Sequence, residues 1–321
     1  MIQILRRRLL QAIPLLLGVI VMNFLLMQAA PGTLLDVISA DQQITDAATL
    51  ERLRATFGID QPVWVQLLHY IGAVARLDFG FSYRQNMPVA QAILERLPAT
   101  LLLMVSALGI AVLLGVSAGI VAATKVHTIW DAVVSVAVVM CFAAPSFWLG
   151  IMLIILFAVQ LGWLPVGGMR SVGGPAGLFA AWRDVGAHLV LPAVSLGLFY
   201  AAIYARLMRA SMLEVASLDF VRTARAKGLG RLRVILAHVA RNALLPVVTL
   251  LGLQLGTVLG GSVVVESVFG WPGIGTLLFD SVSSRNYPVV LGVLVMSAVV
   301  VIVVNIVVDL AYHRLDPRTR G

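Results

Sequence analysis

Charged residues cluster along this chain and leave six uncharged windows of at least 21 residues, at 9–35, 97–124, 132–169, 185–205, 242–265 and 286–308. The next longest uncharged stretch, 61–75, has only 15. A helix needs roughly 20 consecutive apolar residues to cross the hydrocarbon core of a bilayer. The pattern therefore predicts an all-α integral membrane protein with six transmembrane helices, near 9–29, 101–122, 132–160, 189–207, 244–265 and 288–310. The stretch 61–75 instead places Trp64, Leu67, Leu68 and Ile71 on one helical face, as in a short helix at the membrane surface or packed on the bundle.

Composition agrees. Charged residues make up 12% of the 321, hydrophobic ones 60%, whereas soluble domains carry about 25% charged residues. This excludes a disordered chain, a nucleic-acid-binding domain and an ordinary soluble enzyme. The net charge of +8 could point to nucleic acid, but its distribution argues for a membrane. With the N-terminus inside, the inner segments 1–8, 124–131, 206–241 and 309–321 hold 15 Lys/Arg against 5 acids. The outer segments hold 8 against 10. That is the positive-inside bias, and it predicts that both termini are cytoplasmic. A cleaved signal peptide is the alternative for the first span, but cleavable apolar cores run about 7–15 residues. Leu9–Met27 exceeds that, and Arg6, Arg7 and Arg8 lack the rest of a twin-arginine pattern.

Within this frame 31–96, 161–188 and 266–288 are expected outside, and 208–242 is expected to be a cytoplasmic loop. Pro145 predicts a kink in the third span. The second span carries Gly115 and Gly119, and the fifth carries Gly252, Gly256 and Gly260 at four-residue spacing. Such a stripe permits close helix approach, either for packing or along a pathway. Phe269–Gly275 reads as a turn followed by a short or re-entrant helix.

Reactive chemistry is missing from the pattern. There is no His-Glu-x-x-His, no Cys-x-x-Cys, no nucleophile-elbow serine and no phosphate-cradling Gly-x-x-x-x-Gly-Lys-Ser/Thr. No catalytic, cofactor-binding or metal-binding residues are therefore expected. Cys141 is the only cysteine, so no intrachain disulfide can form. Glu266 and Asp309 sit at helix ends and are expected to be solvated or interfacial charges.

The densest positive charge follows the fourth span, in Asp219-Phe-Val-Arg-Thr-Ala-Arg-Ala-Lys-Gly228. Asp219 is expected to cap a two-turn helix that Gly228 ends. Phe220, Thr223, Ala224 and Lys227 are expected to share a face. From spacing alone, docking of a partner and an ordinary basic loop both fit.

This stretch resembles the cytoplasmic-loop motif of permease subunits of ATP-binding-cassette (ABC) importers, in the dipeptide/oligopeptide branch that also includes nickel and glutathione importers. The motif reads Arg222-Thr223-Ala224-Arg225-Ala226-Lys227-Gly228-Leu229, then Arg241-Asn242-Ala243-Leu244-Leu245-Pro246. Further matches are Pro31-Gly32, Phe57–Pro62, Glu95–Thr100, Pro145–Gly150, Trp271–Gly275, Tyr287–Val290 and Asp316-Pro317-Arg318. Thr33 departs from the Asp usual after Pro-Gly in the family.

The resemblance implies a type I ABC importer permease fold in a bacterial plasma (inner) membrane. Its division would be 1–95 (first helix plus external segment), 96–313 (the transmembrane core with its coupling loop 208–242) and 314–321 (cytoplasmic tail). The implied partners are a second homologous permease, two ATP-binding subunits and an external substrate-binding protein, with no nucleic acid. The implied cargo is a di- or oligopeptide, with nickel chelate or glutathione as alternatives. A stand-alone carrier or channel is the competing reading. By the same resemblance Asp219, Phe220, Arg222, Thr223, Ala224, Lys227 and Gly228 would couple to the ATPase. Pro145, Gly252, Gly256 and Gly260 would pack helices or line the pathway, and Trp271, Pro272 and Gly273 are candidates for an external gate.

Overall fold

The computed structural model describes residues 2–29, 61–82, 84–174 and 177–315, without the side chains at the outer ends of the first and last helices and at 253 and 255–261. The motif matches at 31–32, 57–60 and 316–318, and Thr33, lie outside the described residues. Helices dominate: α1 (Ile2–Ala29), α2 (Val63–Ala75), α3 (Val89–Thr124), α4 (Ile129–Ala143), α5 (Ser146–Leu153), α6 (Leu178–Ala216), α7 (Asp219–Ala226), α8 (Arg231–Arg233), α9 (Arg241–Phe269), α10 (Ile274–Ser283) and α11 (Tyr287–Leu315). Two segments wind as π-helix, Ile154–Gln160 after α5 and Val234–Ala240 before α9. The two-residue strands β1 (Phe81–Ser82) and β2 (Met87–Pro88) form an antiparallel hairpin. Five helices among the described residues are long and apolar enough to cross a membrane, and two bent pairs pass the same test together, α4 with α5 and Ser262–Phe269 with α10.

The chain divides into two compact units, one running to Pro98 and resuming at Gly273, the other spanning Ala99–Pro272. In the first, α1 packs along α11, where the Asn23 amide donates to the Leu291 carbonyl at 3.3 Å. Helix α2 rests on α1 through the Phe24–Tyr70 ring pair and a Gln28–Gln66 hydrogen bond of 3.1 Å. Its buried edge is Val74, while Trp64 and Leu68 are exposed. The four apolar positions expected on one face thus divide, and the outer pair meets whatever surrounds the helix.

In the second unit α6 is the central element, packed by α4, α5 and α9. Its 39 residues make a rod of about 58 Å at 1.5 Å per residue. Helix α3 lies close against it at Gly115 and Gly119. A Cβ at 115 would stand 2.6 Å from the Ala201 carbonyl oxygen, and one at 119 would stand 2.6 Å from Met208 Cβ. Only glycine permits that approach.

Three expectations are corrected here. The third span is broken rather than kinked: α4 and α5, with its π-helical extension, meet at 105°. Ala144 is extended (ψ 130°) because the pyrrolidine ring after it disfavours helix, and Pro145 then starts a new helix. Residues 178–188 are helical, not loop, since Arg183 and Asp184 interrupt the apolar pattern without interrupting the backbone. The stretch 208–242 is likewise almost entirely helical, because α6 runs on to Ala216 and a new helical run starts at Arg231.

Candidate functional site

The basic segment between α6 and α9 folds as the isolated two-turn helix α7. Leu218, in extended conformation (ψ 150°), occupies the N-cap, so Asp219 is the first helical residue and not the cap. Its carboxylate makes no hydrogen bond to a backbone N–H of the first turn. It lies instead in solvent, 3.4 Å from Arg222 Nη1, and acts on the helix only through its charge at the positive end. The C-terminal end is closed as expected. Gly228 takes φ 76°, its N–H donates to the Arg225 carbonyl (2.9 Å), and the Leu229 N–H donates to the Ala224 carbonyl (3.4 Å). That pairing is a Schellman motif, which glycine adopts without steric cost.

Helix α7 buries Val221 and Ala224 and rests on the π-helical turn Val234–Ala240. Phe220, Thr223 and Lys227 face outward, together with Arg222 and Arg225. The expected four-residue face is therefore three, since Ala224 lies about 60° from Val221 at 100° per residue and turns inward with it. What α7 presents is one half-exposed aromatic ring, 41% accessible, in a basic surround. The hydroxyl of Thr223 donates back to the Asp219 carbonyl at 3.0 Å and stiffens the first turn. Downstream, the Asn242 amide donates to the His238 carbonyl at 2.6 Å, bracing the junction where π-helix becomes α9 ahead of Pro246.

At the same end of this unit, Arg209 of α6 grips Asp131 of α4 with a two-pronged fork, Nε to Oδ1 and Nη2 to Oδ2, both 2.9 Å. The His127 N–H adds a third contact to the carboxylate at 3.3 Å. Sequence reading missed this pair because 78 residues separate its members. The only signal is that opposite charges flank two spans at the end assigned to the cytoplasm.

At the other end, Glu266 is fully buried and accepts a hydrogen bond from Thr100 Oγ1 at 2.8 Å. The expectation of an interfacial charge is thus overturned: the helix continues to Phe269, placing Glu266 one turn inside its end, against α3. Trp271 is also fully buried, packed with Ala99, Leu103, Val185 and Ala193, and its indole N–H donates to the Ala99 carbonyl at 2.9 Å. Pro272 is exposed, and Gly273 is buried and precedes α10. Pro145 is exposed at the break, and Gly252 is buried on α9. Gly256 and Gly260 lie on the same helix, but their surroundings are outside the described residues. Among the described residues no group of three or more His, Cys, Asp and Glu could hold a metal ion.

Relatives of known role share this arrangement of sequence. The model of the family "Binding-protein-dependent transport system inner membrane component" matches residues 115–321, and that of its N-terminal companion matches 1–104. The chain is 40% identical to the oligopeptide transport system permease protein AppB of Bacillus subtilis, over 97% of both chains. It is 39% identical to the dipeptide transport system permease protein DppB of Escherichia coli, over 100% of this chain and 99% of the relative. It is 41% identical to the glutathione transport system permease protein GsiC of Escherichia coli, over 98% and 97%. Among solved structures, a chain of the MetNI methionine ABC transporter superposes with TM-score 0.56 at 18% identity, covering 70% of this chain and 95% of that one. At that identity the likeness concerns the fold. This multi-pass membrane protein belongs to the family of inner-membrane components of binding-protein-dependent transport systems.

Proposed function

We propose that this chain is a permease subunit of an ATP-driven importer of di- or oligopeptides in a bacterial inner membrane. It forms the pathway with a second, homologous permease, two separate ATP-binding subunits supply the energy, and an external binding protein delivers the substrate. Peptide cargo follows the full-length relatives named for oligopeptide and dipeptide transport. Glutathione is the second reading, favoured by the glutathione permease of similar identity.

This reading includes six crossings with both termini inside. Helices α1, α3, α6, the run into α9, and α11 would supply five and the broken pair α4–α5 the sixth, with the second bent pair, Ser262–Phe269 and α10, as a re-entrant turn. The second unit is consistent with that sidedness. Thr124, Ala216, Arg225 and Arg231 line one cavity at the end assigned inside, while Ala99, Val185 and Trp271 meet at the end assigned outside.

The observation that carries the mechanism is α7: a short, separate helix, closed at its C-terminal end by Gly228, that exposes Phe220, Thr223 and Lys227. Seated in a cleft of an ATP-binding subunit, it would move when that subunit closes over ATP. Asp219 and Arg222 add charge at its outer end, and Ala224 and Gly228 fix it to the bundle and end it. Trp271, Pro272 and Gly273 would shape the outer end of the pathway, and Pro145, Gly252, Gly256 and Gly260 its helix contacts. The test is a reconstituted complex carrying Phe220→Glu. ATP hydrolysis should persist while peptide uptake falls at least tenfold. Wild-type uptake in that variant would refute α7 as the coupling element.

A further inference from the structure

A cavity of about 500 Å³ opens beside α7 in the second unit, within the range of small-molecule pockets. Its walls are the last turns of α3 and α6 (Ala123, Met212, Ala216) and the π-helical turn (Val234, Ile235, Val239). Two cations stand among these apolar groups, Arg225 of α7 and Arg231 at the start of α8. Both residues are exposed, and neither guanidinium has an ion-pair partner among the described residues. Arg225 is exposed beside the coupling face and also lines this cavity, and it is not among the residues assigned to coupling above.

We propose that this cavity binds one anionic phospholipid, its phosphate between Arg225 and Arg231 and the start of an acyl chain against the apolar wall. Charge complementarity argues for that chemistry: two unpaired guanidinium groups lining one cavity attract a phosphate, which arginine binds through its planar fork. The wall calls for hydrocarbon, and the site lies where two apolar helices end beside a basic segment. Basic pockets at the cytoplasmic ends of membrane helices suit anionic headgroups. The placement at the inner boundary rests on the sidedness proposed above. Because Arg225 is carried by α7, a bound lipid would brace the helix from the bundle side and leave Phe220 free.

The experiment is native mass spectrometry of the full chain released from mixed micelles, with phosphatidylglycerol or phosphatidylcholine of identical acyl chains. Each arginine beside an anionic headgroup favours binding about fivefold, or about 1 kcal/mol. The first phosphatidylglycerol should therefore bind about 25-fold more tightly than phosphatidylcholine. Arg225→Gln with Arg231→Gln should remove that preference, while Arg225→Lys with Arg231→Lys should keep most of it and show that the fold is intact. Ile235→Trp should fill the cavity and lower phosphatidylglycerol binding with both charges in place. Free glycerol phosphate should not compete. Equal binding of the two lipids would overturn the proposal, as would undiminished preference in the double Gln variant or full competition by glycerol phosphate. If instead the double Gln variant weakened only capture of the ATP-binding subunits, the cavity would belong to that partner and the lipid site would be refuted. Lipid binding is read without transport, so failure of the importer reading leaves this measurement unchanged.

Discussion

The fork between Arg209 and Asp131 is the contact most open to a quantitative test. Asp131 is 11% exposed at its side chain and Arg209 is 34% exposed. Removing one partner of a buried pair costs about 3–5 kcal/mol, whereas exposed pairs contribute about 0.2–1 kcal/mol. With one end buried and the other partly screened by water, a coupling of about 1–2 kcal/mol is expected. The perturbations are Asp131→Ala, Arg209→Gln and the two together, each compared with the parent by reversible unfolding in mixed micelles. The double variant should be destabilised little more than either single one. Arg209→Lys should not restore the parent value, because an ammonium cannot reproduce two parallel 2.9 Å contacts. Costs that add within about 0.5 kcal/mol, the margin for independent sites, would show that the fork carries no coupling. The inference that α4 and α6 are tied together above α7 would then fail.

Three further outcomes follow from the geometry. Gly119→Ala places a Cβ 2.6 Å from Met208 Cβ and 2.8 Å from the Ala205 carbonyl oxygen, so it should cost about 1–3 kcal/mol by overpacking. Gly109→Ala meets nothing within 4 Å, so it should be neutral or stabilising by up to about 1 kcal/mol; thermal unfolding in detergent compares the two. Thr100→Val removes the 2.8 Å hydrogen bond to the buried Glu266 and should cost about 1–3 kcal/mol. Glu266→Gln keeps an acceptor and should cost less than about 1 kcal/mol by the same measurement. Gly228→Val forces a β-branched residue to φ 76° and should lower stability by about 1–2 kcal/mol or more. It should also reduce coupled uptake in the reconstituted complex.

Much of this fold could be read from residue order, because its determinants are local. Apolar runs announce the long helices, and Gly228 announces the end of α7 through a requirement on its own φ. Phe269–Gly275 announces a turn and a following helix, found as α10. The misreadings arise where an outcome depends on distant residues. Charge alone set the start of the fourth span eleven residues late, yet Asp184 is held by Ser171 through its N–H (2.8 Å) and hydroxyl (2.6 Å), so a polar residue sits comfortably within α6. Glu266 reads as an interfacial charge only while its partner Thr100 is unknown. Ala224 fits a docking face by angle, but the adjacent Val221 and the turn at Val234–Ala240 claim it. Pro145 signals some deformation, while the 105° result needs Ala144 to leave the helix as well.

These contacts give α6 a mechanical role that its sequence does not display. Its length of about 58 Å at 1.5 Å per residue exceeds a hydrocarbon core of about 30 Å, so the helix is longer than one crossing needs. Near its start, His188 packs with Asp184 (Nδ1 to Oδ1, 3.5 Å), and Asp184 holds the preceding loop through Ser171. Near its finish, Arg209 binds Asp131, and three residues beyond Ala216 the chain enters α7. Between those points Gly115 and Gly119 let α3 approach too closely for either helix to slide without displacing backbone. On the coupling role proposed for α7, a push on it would be resisted first by the Arg209–Asp131 fork and then by the α3–α6 seam. Movement at Phe220 would then displace packed helices as a body, because the joints that could absorb it locally are closed by a charge pair and by backbone contact.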